Sequence, residues 1–269
     1  MLIRSRRILC NVTILLSCFC SVAYAFDVVL VDSIGVTLEV SPGAVLDRSV
    51  RVSNVTSDVR FVQLTAQSAT LVAGERAADV AAQHSSASWF DLPAEPVPVP
   101  AGATISIPYK LRVPDAAQGS YWAELLVQPV TAVELDAMQL TDQADIAFEI
   151  VVAYSGIVFT DVAGTGTVRL QLLTPTIVRV DGDGFELRWG MENAGNRIAS
   201  VDASWEVVDV ATGERVAEAR SRHTAFPGGR IERRERLPEA LPPGTYEVIV
   251  LADATRWSVT LIQETIEIR

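Results

Sequence analysis

The sequence predicts an all-β protein in which two tandem immunoglobulin-like β-sandwiches follow a secretion signal. Three observations predict it. Nearly every segment beyond residue 25 alternates apolar and polar side chains with period two, as half-buried strands require. Turn residues recur between those runs at the spacing of short strands folded back on one another. The 269 residues are 49% apolar, which supplies material for two cores and excludes disorder as the state of the chain.

At the start, residues 1–7 carry Arg4, Arg6 and Arg7, residues 8–20 are mostly apolar, and Ala23-Tyr24-Ala25 has the small-x-small pattern read by signal peptidase. Cleavage is expected after Ala25, leaving a periplasmic or secreted protein. A spanning helix needs about 20 apolar residues; this run is shorter and is broken by Asn11 and Thr13, so no stable membrane span is expected. Leu15-Leu16-Ser17-Cys18 also resembles a lipobox, which makes lipidation at Cys18 the alternative fate. Cleavage would remove Cys10, Cys18 and Cys20, the only cysteines, so the exported chain would rely on its cores rather than on disulfides.

The strands follow in order. Val36, Leu38 and Val40 alternate with polar neighbours, and residues 105–113 are apolar at every odd position and polar or proline at every even one. The same phase runs through Tyr121, Ala123, Leu125 and Val127, and then through Ile146, Phe148, Ile150, Val152 and Tyr154. Later come Phe185, Leu187, Trp189 and Met191, and then Tyr246, Val248 and Val250. Turn residues at 41–43, 54–58, 118–119, 181–184, 193–196, 212–213 and 242–244 separate these runs. Residues 71–87, rich in alanine, read as a short helix or an irregular crossing between sheets. An immunoglobulin-like sandwich takes about 100 residues, so the chain divides into a signal at 1–25, a first sandwich at 26–160 and a second at 161–269, with the polar bend of residues 161–167 as the seam.

Composition excludes several functions. The chain has 22 Lys and Arg against 33 Asp and Glu, a net charge of −11 that repels phosphate backbones, so nucleic acid is not an expected partner. Two isolated histidines do not build a standard zinc site, and no nucleophile elbow is present, so neither a metal, a cofactor nor catalysis is expected. His84 reads as a solvated loop residue and His223 as an exposed strand position. Gly164-Thr165-Gly166 reads as an interdomain bend rather than a phosphate loop, and residues 181–184 as a hairpin turn rather than a calcium loop. The five tryptophans, at 89, 122, 189, 205 and 257, read as core packing. Trp122 is out of phase with the apolar face of its strand and becomes a contact residue if that face is exposed.

Residues 119–129 (GSYWAELLVQP), the stretch 130–144 and the apolar run 145–159 (DIAFEIVVAYSGIVF) resemble the sixth strand, long loop and seventh strand of periplasmic pilus chaperones. Residues 49–54 and 61–64 are similar to the second and third strands of the same family's first domain, and residues 185–196 and 241–250 fit its second domain. The resemblance implies donor-strand complementation, in which alternating side chains of the seventh strand are lent to a fibre subunit that lacks a strand. It would place partner contacts at Ile146, Phe148, Ile150, Val151, Val152 and Tyr154, in addition to the Trp122 candidate read from strand phase, and envelope or fibre subunits as partners. The family's basic pair for a subunit's terminal carboxylate has no counterpart, because residues 36–40 offer Glu39 and residues 150–154 offer no basic side chain.

Residues 89–92 (WFDL), 99–104 (VPAGAT) and 119–121 (GSY) also resemble the extracellular domains of WxL-interacting envelope proteins. That resemblance implies an envelope scaffold that binds surface proteins or glycan. Both readings make the chain a non-catalytic protein-binding module.

Overall fold

A computed structural model describes residues 27–72, 77–130, 152–180, 184–237, 241–255 and 257–268. Their architecture is all-β in two sandwiches. In the first, one sheet has the order β1 (Val28–Leu30), β3 (Val45–Asn54), β7 (Thr104–Arg112), β5 (Phe90–Asp91). The facing sheet has the order β2 (Val36–Val40), β9 (Tyr154–Val162), β8 (Gly119–Val130), β4 (Arg60–Gln67), β6 (Val97–Val99). In the second, β10 (Leu170–Val180), β11 (Gly184–Asn193) and β14 (Arg230–Arg236) form one sheet. The order β13 (Arg215–Ala225), β12 (Ala199–Asp209), β15 (Gly244–Asp253), β16 (Val259–Ile268) forms the other.

Period-two alternation explains which side chains meet between the sheets. Ile107 and Leu111 of β7, Leu38 and Val40 of β2, and Leu125 and Val127 of β8 are buried in one cluster with Val50 and Val52 of β3. In the second sandwich Phe185, Leu187 and Trp189 of β11 pack against Trp205 of β12 and Tyr246, Val248 and Val250 of β15. Each sandwich ties down the end of the equivalent strand with a buried asparagine. Asn54 donates through Nδ2 to Val99 O at 2.9 Å and to Asp58 O at 2.7 Å, while its Oδ1 accepts from Thr56 N. Asn193 donates to Arg197 O at 2.8 Å and Ala225 O at 3.1 Å, and its Oδ1 accepts from Gly195 N. Buried turn carbonyls thereby gain donors that no ladder supplies. Tyr246 adds a tyrosine corner, donating from its hydroxyl to Pro242 O at 2.9 Å.

Residues 71–87 contain the short helix α1 (Ala77–Gln83), followed by a 3-10 turn at Ala87–Trp89. Gly164 and Gly166 both adopt positive φ in the link between β9 and β10, a conformation that only glycine takes without strain. Three side chains lie elsewhere than the sequence reading put them. Trp257 is 45% exposed, outside both cores, with the Arg197 guanidinium 5.1 Å from its ring centroid. His84 is half-buried, stacked on Trp122 at 5.3 Å, because α1 folds the chain back onto β8. His223 is half-buried at the sandwich mouth, edge-on to Trp189.

Candidate functional site

The closing strand of the first sandwich, β9, is built in two parts. Along its whole length it pairs antiparallel with β8, from Val127↔Tyr154 to Gly119↔Val162. On its other side, β2 pairs with it in parallel only from Val36↔Val158 to Val40↔Val162. Residues 154–156 therefore have no ladder partner on the β2 side among the described residues. The cause is local. The chain crosses from one sheet to the other at residues 31–35, and Ile34 and Gly35 pass over Gly156 so closely that a Cβ there would lie 2.6 Å from the Ile34 side chain. Glycine at 156 is what lets the crossing hug the strand.

Of the partner-contact residues expected from sequence, Ile146, Phe148, Ile150 and Val151 lie outside the described residues. Val152 and Tyr154 are half-buried. Tyr154 packs against the first core and donates from its hydroxyl to Val28 O at 3.1 Å. Trp122 does not meet the condition for a contact role, because it is fully buried. Its Nε1 donates to Ala69 O at 2.7 Å, and Val80 of α1 and Phe226 of the second sandwich cover its outer face. The sequence phase was right about which face it occupies; burial there comes from elements remote in the chain.

Beyond Trp122, β8 and β9 run into a junction that holds the two sandwiches together. Ser120 Oγ is hydrogen-bonded to Asp161 and accepts from Ile198 N at 2.9 Å, while Ser120 N donates to Asn196 O at 2.9 Å. Arg197 sits 3.5 Å from Asp161 and donates to Val162 O and Thr165 O. Its side chain is only 12% exposed, so the partly buried charge is matched by a carboxylate and two carbonyls. Gly119, with φ +86°, approaches Asn196 so closely that a Cβ would lie 2.1 Å from its carbonyl oxygen. No sequence signal isolates Ser120, Asp161 and Arg197, although the glycines at 119 and 166 mark the bend that brings them together.

A polar cleft of about 450 Å³ opens beside this junction, with His84, Arg169, Glu192 and Asn196 among its lining residues. His84 Nδ1 lies 2.8 Å from Ser120 O; a carbonyl only accepts, so Nδ1 carries the proton. Burial holds this imidazole below the usual histidine range, against the opposing pull of the bond to Ser120. His223 is lowered as well, by burial and then by the Arg233 charge. Its Nε2 is 2.7 Å from Ser221 Oγ, but no hydrogen bond orients the other ring nitrogen among the described residues, so the pair lacks the third member of a catalytic triad. Among the described residues no group of three or more His, Cys, Asp or Glu is placed to hold a metal, and no helix is long and apolar enough to cross a membrane.

No protein-family model matches the chain, and no curated protein matches it. Solved structures do. The class 5 fimbriae chaperone CfaA is 11% identical, with 88% of this chain and 98% of that chain covered and a TM-score of 0.46. The E. coli chaperone DraB is 12% identical over 90% of this chain and 98% of its own, with a TM-score of 0.39. A chain from the chaperone–tip adhesin complex of CFA/I fimbriae biogenesis is 10% identical over 88% and 98%, with a TM-score of 0.47.

Proposed function

We propose that this chain is an exported, non-catalytic protein-binding module that acts as a chaperone in the assembly of surface or pilus subunits, holding a partner strand along the open edge of β9. The observation that carries the reading is that β2 stops short and leaves residues 154–156 with no ladder partner on that side among the described residues. Such an edge is a template for an added strand, whose main-chain bonds supply affinity while alternate side chains select the partner. The rigid junction at the other end of β9 supports it, because an edge held by a fixed scaffold loses little entropy on pairing. The segment leading into β9, with Ile146, Phe148, Ile150, Val151 and Val152, extends the proposed contact, and the periplasm is the compartment in which it would operate.

A photo-crosslinking residue at Ser155, which is exposed, tests this in the native envelope. The expected product joins Ser155 to an extended apolar segment of a small secreted subunit. The same crosslinker at Val210, which is exposed on the second sandwich, should not give it. Equal products from both positions, or none from either, would overturn the reading. Large surface adhesins or glycan in place of small subunits would favour the envelope-scaffold alternative.

A further inference from the structure

The second sandwich carries a feature that strand lending leaves unexplained. The chain as a whole is strongly acidic, yet four of the seven residues of its edge strand β14 are arginine. Register sharpens the oddity: Arg234 of β14 lies directly opposite Arg188 of β11, and Arg188 lies opposite Thr176 of β10. Like charges directly across a ladder destabilise a sheet unless something between them carries the opposite charge. Neighbouring acids answer for three of the arginines, Arg233 lying 3.7 Å from Glu235. Arg188 donates to Glu186 at 2.8 Å, and Arg230 is 2.7 Å from Glu232. Arg234 makes no hydrogen bond or ion pair among the described residues.

The same row borders a surface pocket of about 230 Å³, whose lining includes Thr174, Thr176, Arg188, Arg230, Glu232 and Arg234. It lies where β10 breaks register between Leu173 and Thr176. Bulges of this kind re-aim side chains and are common beside functional sites. Of the arginines that line it, Arg188 and Arg234 are directly opposed on adjacent strands, and Thr174 and Thr176 line the same pocket. A carboxylate is satisfied by one guanidinium fork, whereas a tetrahedral dianion presents oxygens to two forks and a hydroxyl at once.

We propose that this pocket binds a phosphate-type oxyanion, either free or borne by a lipid headgroup, between Arg188 and Arg234. The site is independent of the β9 edge and of any reading of it.

Thermal unfolding of the purified chain in inorganic phosphate, against sodium chloride at matched ionic strength, tests the site. Phosphate well above its Kd should raise the midpoint by roughly 2–4 °C, and Arg234→Gln should abolish that rise. In phosphate-free buffer Arg234→Gln should keep or slightly raise the midpoint, because it removes a like-charge opposition. Cosedimentation with phosphatidylcholine vesicles containing phosphatidylglycerol, against phosphatidylcholine alone, separates the sources. Vesicle binding lost in Arg234→Gln without a shift in free phosphate assigns a headgroup, and the reverse assigns the free ion. The proposal is overturned by an equal phosphate effect on wild type and variant, by no binding in either arm, or by a drop of several degrees for Arg234→Gln without phosphate, which would make Arg234 structural.

Discussion

The two halves of β9 share one strand and one sheet, yet they are flanked differently. Residues 158–162 are flanked by β8 and β2, bury Val158 and Val162 in the first core, and end in the charge-matched junction with the second sandwich. Residues 154–156 have one ladder partner among the described residues, expose Ser155, and use glycine where the chain crosses over them. The difference teaches that one strand can be held from both sides at one end and from one side at the other, the contrast on which the proposed pairing rests. What decides the change is where β2 begins, since a β2 four residues longer would cover the edge.

The largest test of that contrast places the same charge on each half. Val162→Asp puts a carboxylate at a position with no solvent exposure, among apolar side chains, at a cost of roughly 3–5 kcal/mol. Its midpoint is expected to fall by about 10 °C or more. Ser155→Asp should stay within about 0.5 kcal/mol of wild type. Equal losses in circular-dichroism melts would show that the open half is as structural as the closed one. An intermediate effect is expected at the junction, where Gly119→Ala adds a Cβ against the Asn196 carbonyl at a positive-φ position. A loss of about 1–3 kcal/mol follows, and differential scanning calorimetry should show the two sandwiches melting apart rather than together.

The smallest effect is one of pH. His84 leans on Ser120, which in turn holds Asp161 of β9. Because burial lowers its pKa in the folded state, the unfolded chain binds its proton more readily. The stability that neutral His84 contributes is therefore complete above the ordinary histidine value of 6.5 and is lost as pH falls through the lowered folded value. Half-exposed, the ring should shift the midpoint by only about 1–2 °C between pH 7.5 and 5.5, and His84→Gln should flatten that part of the slope. An unchanged slope in the variant would mean that other groups carry the dependence.

Much of the fold is legible in the sequence because period two is a local signal. Residues 105–113 announce β7 and its buried face without reference to any other segment, as residues 185–191 announce β11. The candidate site is legible only in part. The apolar alternation of residues 146–154 lies mostly outside the described residues, and the open edge of β9 depends on where β2 begins, more than a hundred residues away in the chain. Trp122 breaks the phase of β8, and its burial requires α1 and Phe226, which no window around residue 122 contains. Trp257 carries an apolar ring in a strand-edge context, but its partner is Arg197 rather than a core. The opposed arginines are hidden for the same reason, since Arg188 and Arg234 become neighbours only through strand register.

The parallel pairing of β2 with β9 also sets an order of events. Val36 and Val158 are roughly 120 residues apart in the chain, so the first sandwich gains its last ladder only after most of the chain has been made. The second sandwich contains hairpins between consecutive strands, β10 with β11, β12 with β13 and β15 with β16, whose loops close before its longer β11–β14 and β12–β15 pairings. In refolding of the whole chain, loop closure thus favours the hairpins of the second sandwich, while the first waits for its final strand. During that interval the β8 edge that β9 will occupy stands vacant, and any strand able to pair there competes with the protein's own.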